Sequence, residues 1–334
     1  MVSLIDMPEV PMKTILEKIG YVEIQCLRKT CHSLRNFIDY FKPDQSIDVM
    51  EISGTAGIIS LLIYQNDDSQ LYPNGQKVHV EYQALDGENT EITWFRKNKY
   101  PKKTILHENF SEVFSRDFGL ILECKLPILR KFSIDFKYTS KQFLKKHLLN
   151  KSPIKTNTLI IKTNTLITQR QDDILSFLPY ICADTLKKLE IEFVDLSGTS
   201  MNISKIVEQE HWKKAKELHI HGVSVMAGIQ NFEHFSYLVV KFDVLYLKDV
   251  LYLKELFLHT PSTSKQYRIN FRNLSDRDAF IREFSHPTTE RREQLIFERP
   301  DDKEHFVTIG FFPKFFEFNI VKKCIVPRDV EVVN

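Results

Sequence analysis

At 334 residues, with 43% apolar and 27% charged residues, the chain has the make-up of a globular protein with room for about two domains. A net charge of +2 argues against a dedicated nucleic-acid binder, and only 10 glycines argue against phosphate-cradling loops. The cysteines, Cys26, Cys31, Cys124, Cys182 and Cys324, are too scattered for a disulfide framework and suit a reducing compartment. With no basic-then-apolar leader and no apolar run of membrane-spanning length, a cytoplasmic and/or nuclear protein is expected.

Residues 4–43 read as three short helices. Met12, Ile15, Leu16 and Ile19 recur at i, i+3, i+4 and i+7, one face of a helix. Pro11 fits the first turn, and Gly20 is expected at the C′ position that ends the helix. Ile24, Leu27 and Cys31 keep helical spacing, and Leu34, Phe37, Ile38 and Phe41 line a third helix that must stop before Pro43. A core this small gains stability by burying apolar surface against a partner.

The same residues resemble a known motif. Met7-Pro8, Ile15-Leu16 with Ile19, Cys26-Leu27-Arg28-Lys29-Thr30-Cys31 and Leu34-Arg35-Asn36-Phe37-Ile38 are similar to an F-box, with Leu34 where many F-boxes carry Trp. The resemblance is to the nematode group in which the box precedes an FTH domain; with the β-rich meander and linking helix that hydrophobic periodicity places over 45–123, it implies an F-box over 1–44 and an FTH-like domain over 124–334. It also implies docking on a Skp-type adaptor, and through it a cullin, by Pro8, Ile15, Leu16, Ile19, Leu27, Cys31, Leu34 and Phe37. The C-terminal domain would recruit a target protein.

After Pro43 the period changes from helical to alternating. Short strands are expected at 46–52, 58–64, 78–83 and 91–95, separated by turn clusters such as those at 65–69, 73–75 and 85–89. An antiparallel meander follows, then a basic connection over 96–103 and a helix over 107–122 bearing Phe110, Val113, Phe114 and Phe118.

From about residue 124 one template recurs. Leu129/Phe132/Ile134, Leu186/Leu189/Ile191, Ala215/Leu218/Ile220 and Phe235/Leu238/Val240 share it, with looser copies at 157–161 and 267–271. Helical segments are expected between them, at 140–149, 172–178, 203–212, 249–258 and 276–284. Strands about twenty to thirty residues apart, each followed by a helix, match leucine-rich-repeat-like units. The duplicated DVLYLK at 243–248 and 249–254 cannot keep one face throughout a helix, so a strand should end near Val244 and a helix start near Asp249. A hairpin, 294–299 and 305–312, should close the array. The fold class expected is mixed α/β: a three-helix F-box and a degenerate leucine-rich-repeat-like α/β solenoid.

Alternation assigns the two faces of these strands. Phe132, Ile134 and Phe136 should point inward and Ser133, Asp135 and Lys137 outward. The outward set Lys137, Glu190, Glu192, His219, His221, Lys241, Arg268 and Arg272 is the candidate target-binding surface. His219-x-His221 has no cysteine or carboxylate at ligand spacing nearby in sequence, so it reads as two surface histidines and no metal or cofactor is expected. No catalytic motif is present. The reading is a substrate-recruiting adaptor of a Skp–cullin–F-box ubiquitin ligase, not an enzyme, partnered by protein rather than membrane or nucleic acid. The alternative is a ligase-independent interaction module whose N-terminal helices only cap the fold.

Overall fold

The computed structural model describes residues 7–43, 47–55, 57–65, 77–95, 100–123, 126–135, 153–163, 170–193, 199–284, 294–326 and 332. The chain forms two compact units, Met1–Thr165 with Asp172–Leu186, and Leu166–Gln171 with Lys187–Asn334. Lys137, Phe136, Cys124, the expected helix at 140–149 and most of the first two turn clusters lie outside the described residues.

In the first unit, helices α1 (Glu9–Lys18), α2 (Tyr21–Arg28) and α3 (His32–Phe41) precede a sheet. Strands β1 (Ile47–Thr55), β2 (Ile58–Gln65), β3 (Lys77–Ala84), β4 (Thr90–Phe95) and β5 (Lys102–Ile105) form the expected meander, each antiparallel to the next. The basic stretch therefore does not stay a connection: its last residues become the edge strand β5, where lysines keep an open edge from pairing further. Helix α4 (Phe110–Glu123) is capped by Asn109, whose Oδ1 accepts the Ser111 N–H at 2.9 Å. It buries Val113, Phe114 and Phe118, and Phe114 meets the edge of the Tyr82 ring at 5.4 Å.

The sheet continues on the other side of β1. Strands β6 (Leu129–Asp135) and β7 (Thr156–Thr163) add to it in parallel, with Met50 opposite Phe132 and Phe132 opposite Leu159. Here one expectation fails. Ser133 was assigned outward, but it is buried, because it is flanked in register by Glu51 and Ile160 and its small side chain is covered. Helix α5 (Arg170–Phe177) lays Phe177 parallel to Phe132 at 5.9 Å.

The second unit is built from the repeats. It runs β8 (Lys188–Phe193), β9 (Ser200–Asn202), α6 (Ser204–Val207), α7 (Glu210–Lys214), β10 (Glu217–His221), β11 (Ser224–Met226), β12 (Tyr237–Leu245), α8 (Leu247–His259), β13 (Gln266–Leu274) and α9 (Arg277–Phe284). Strands β8, β10, β12 and β13 are parallel neighbours in chain order, as stacked repeats require. The inward set is buried: Leu189, Ile191, Leu218, Ile220, Leu238, Val240, Tyr267 and Ile269. DVLYLK divides as expected, with β12 ending at Leu245 and α8 starting at Leu247. The single helix expected over 203–212 is two short helices instead.

The closing element is larger than a hairpin. Strands β14 (Gln294–Arg299) and β15 (Asp302–Phe311) pair antiparallel, but a third strand, β16 (Phe315–Lys322), lies between β15 and β13. Phe316 and Phe318 are fully buried, so β16 covers the apolar edge that the last repeat would expose.

Candidate functional site

The N-terminal module is organised by one small cluster. Met12 and Leu16 of α1, Ile24 of α2, and Leu34 and Ile38 of α3 are buried together, with Ile19, Leu27, Cys31, Phe37 and Phe41 packed around them. Cys31 has a second task beyond apolar packing. It is the N-cap of α3, and its Sγ accepts the Leu34 N–H at 3.5 Å. Lys42 ends that helix in the left-handed conformation with φ 48°, one residue before Pro43. Gly20 follows the Ile19 C-cap of α1, the position expected of it. It is extended, with φ −84°, and caps the start of α2, and its missing side chain makes room for Gln65, whose Nε2 would lie 2.5 Å from a Cβ there.

Of the eight residues the motif nominates for docking, Leu16 and Leu34 are interior, and Ile15, Ile19, Leu27, Cys31 and Phe37 are half-buried. Pro8, at the N-cap of α1, is exposed. Among the described residues, two outside the nominated set carry the most open apolar surface of the module: Val10 is 74% exposed and Tyr40 81%. Lys13 Nζ sits 5.1 Å from the Phe41 ring centroid, which brings the first turns of α1 to the end of α3. A sequence signal for Tyr40 existed: it is an aromatic lying off the 34/37/38/41 stripe of an otherwise polar face.

Within the same unit, α2 meets the meander. Lys29 Nζ lies 5.8 Å from the centroid of Trp94, and a pocket of about 250 Å³ is lined by Tyr21, Cys26, Leu61, Trp94, Tyr82 and Asp117 among others. The Tyr82 hydroxyl donates to Asp117 Oδ2 at 3.1 Å, and burial raises the Asp117 carboxyl above its ordinary value of 3.8. A folded-state value above the unfolded one means that the protonated acid is favoured in the fold. Its contribution is complete at pH below the ordinary value and lost as pH rises through the raised one. Asp117→Asn keeps an acceptor for Tyr82 without the buried charge, so the variant should melt higher than the parent at pH 7, with the gap closing towards pH 4. Thermal melts across that range check this; a lower melting temperature for the variant at pH 7 would contradict it.

In the second unit, the outward residues form rows across the sheet. Glu190 of β8 is opposite His219 of β10, His219 is opposite Val239 of β12, Val239 is opposite Arg268 of β13, and Arg268 is opposite Glu317 of β16. Glu192 is opposite His221, and Lys241 opposite Asn270. The structure thus places seven of the eight nominated residues on one face. Several are already held: Arg268 bonds Glu317 at 3.3 Å and lies on the Phe315 ring at 3.9 Å, and Arg272 pairs with Asp243 at 2.8 Å.

The left end of this row is polar and half-buried. Lys188 Nζ is 2.9 Å from Glu190 Oε2. Burial pushes the Glu190 carboxyl up, but the hydrogen bond and charge of Lys188 outweigh it and leave the group below its ordinary value. Burial, reinforced by the Lys188 charge, drives His219 down to about 4. His219 also stacks at a tilt beside Tyr237, with ring centroids 5.0 Å apart.

Comparison with known proteins agrees with this architecture. Residues 4–46 match the F-box domain and residues 130–286 match the FTH domain, so the chain carries an F-box followed by an FTH domain. Proteins of this kind are typically adaptors rather than enzymes. Among curated proteins, F-box A protein 224 of Caenorhabditis elegans is similar, 25% identical over 268 residues that cover 76% of this chain and 63% of the relative. The chain thus spans less than two thirds of that relative's length. No solved structure matches. Among the described residues no helix is long and apolar enough to cross a membrane.

Proposed function

We propose that the chain is a substrate receptor of a Skp–cullin–F-box ubiquitin ligase. The observation that carries this is the F-box match over 4–46 on a three-helix module that fills its own core and still leaves Pro8, Val10 and Tyr40 open. An exposed valine and tyrosine on so small a module are what a docking partner would cover. Residues Ile15, Ile19, Leu27, Cys31 and Phe37, which are half-buried, add their exposed parts to that surface, while Leu16 and Leu34 hold the helices together. On this reading the outward face bearing Glu190, Glu192, His219, His221, Lys241, Arg268 and Arg272 holds a target protein. Ubiquitin transfer then follows from proximity, by raising the effective concentration of a target lysine near a charged conjugating enzyme.

The test is capture of a purified Skp-type adaptor by the full chain. Val10→Glu combined with Tyr40→Glu should weaken capture by at least about tenfold, the scale of one or two interface anchors, without changing the circular dichroism spectrum. One observation favours the second reading, in which the helices cap the fold: α2 rests on the meander through Lys29 and Trp94 and through Gly20 and Gln65. A well-folded full chain that binds no adaptor would support that reading and remove the first.

A further inference from the structure

Parallel register brings a carboxylate from one strand beside two histidines of a strand a whole repeat later. Glu190 on β8 and His219 on β10 are direct cross-strand partners, and His221 is two residues further along the same face. One ligand atom from each of Glu190, His219 and His221 can be chosen so that all lie within 4.8 Å of one another. His219 Nε2 is buried with no hydrogen-bond partner, a costly state for a polar atom unless something occupies it. Gly222 follows at once with φ +78°; a Cβ there would lie within 3 Å of the Phe193 carbonyl, so this tight turn ends β10 directly after His221 and fixes where that ring leaves the sheet.

We propose that Glu190, His219 and His221 form a binding site for a divalent transition-metal ion of the zinc class. Two imidazole nitrogens and one carboxylate oxygen are a ligand set that zinc takes, with a fourth position left for water or a further group. Atoms around a tetrahedral zinc lie about 3.3 Å apart, so the three must close up modestly, which the torsions of a glutamate and two histidines can supply. His221 is exposed, which leaves the ion a path in from solvent. Glu192, opposite His221, stands at the position from which a fourth ligand could come. Lys188 is the competitor: its ammonium holds the same Glu190 carboxylate at 2.9 Å and must yield when the ion binds. The site does not depend on the ligase role, and neither proposal fails with the other.

The experiment uses the full chain without an affinity tag, stripped with chelator and then titrated with zinc against a chromophoric competitor. One equivalent of zinc should bind with a Kd in the micromolar range or below, and cobalt in its place should give the visible absorption of a four-coordinate site. His219→Asn and Glu190→Gln should each weaken zinc by more than about 100-fold, beyond the usual effect of a group that only supports a ligand. Lys188→Met should tighten it by about tenfold, a change that loss of fold could not produce. Zinc binding equal in the parent and in the exposed-site variant His221→Asn, or the same in Lys188→Met as in the parent, would overturn the site.

Discussion

Leu16→Asp is expected to melt the N-terminal helices rather than to report on docking. Leu16 is 0% exposed, and among the described residues it shares the module's apolar cluster with only Met12, Ile24, Leu34 and Ile38 as buried members. Truncation to alanine would already cost about 2–5 kcal/mol, and an ionised carboxylate placed there adds the cost of an unpaired buried charge. A module with so small a core has little stability in reserve. Hydrogen exchange should therefore show loss of protection across α1–α3, with cleavage by protease in the same segment. Protection in α4 and the β12–β13 ladder should stay. Retained protection in α1–α3 would mean that the cluster does not hold the helices. The consequence for the adaptor test is direct: a failure of Leu16→Asp or Leu34→Asp to bind says nothing about the contact surface, whereas Val10→Glu with Tyr40→Glu does.

Trp212→Ala should be the most damaging single truncation in the second unit. The indole is 2% exposed, and its rim meets Phe232 and Phe235 at 5.5 and 5.2 Å in edge contacts. Its Nε1–H donates to the Asn231 carbonyl at 3.0 Å, and its own backbone carbonyl accepts from His234 Nε2 at 2.8 Å. Losing the ring leaves a cavity and an unanswered carbonyl, about 3–5 kcal/mol together. Trp212→Phe should cost less, keeping the ring contacts but not the hydrogen bond. Urea unfolding followed by circular dichroism measures both. The protein's 2 tryptophans divide between the units, Trp94 in the first and Trp212 in the second, so Trp94 emission follows the first unit alone in either variant. A shift of the Trp94 transition as large as that of the circular dichroism would show that the two units unfold together.

Most of the element types were legible because they rest on local spacing. The 12/15/16/19 and 34/37/38/41 stripes predict α1 and α3, and the alternation of Leu189, Ile191, Leu218 and Ile220 predicts β8 and β10. β16 was legible too: Phe316, Phe318 and Ile320 alternate with Glu317 and Asn319, and the hairpin expectation stopped short of them. Ser133 was not, since whether an outward position is covered depends on what lies across it. Gly20 was legible as the residue just past α1, but the reason for a glycine there was not: the demand is for space beside Gln65.

The sequence by itself determined an F-box, a meander and a series of strand–helix repeats, since helical and strand periods and the ordered motif residues need no partner to be read. Tertiary structure alone decided which motif residues face inward, because one helical stripe looks the same whether its cover is the module's own helices or another protein. It also decided that Glu190 stands beside His219. Those residues are separated by a whole repeat, and only the parallel register of β8 on β10 puts a carboxylate against two imidazoles that by spacing were merely surface histidines.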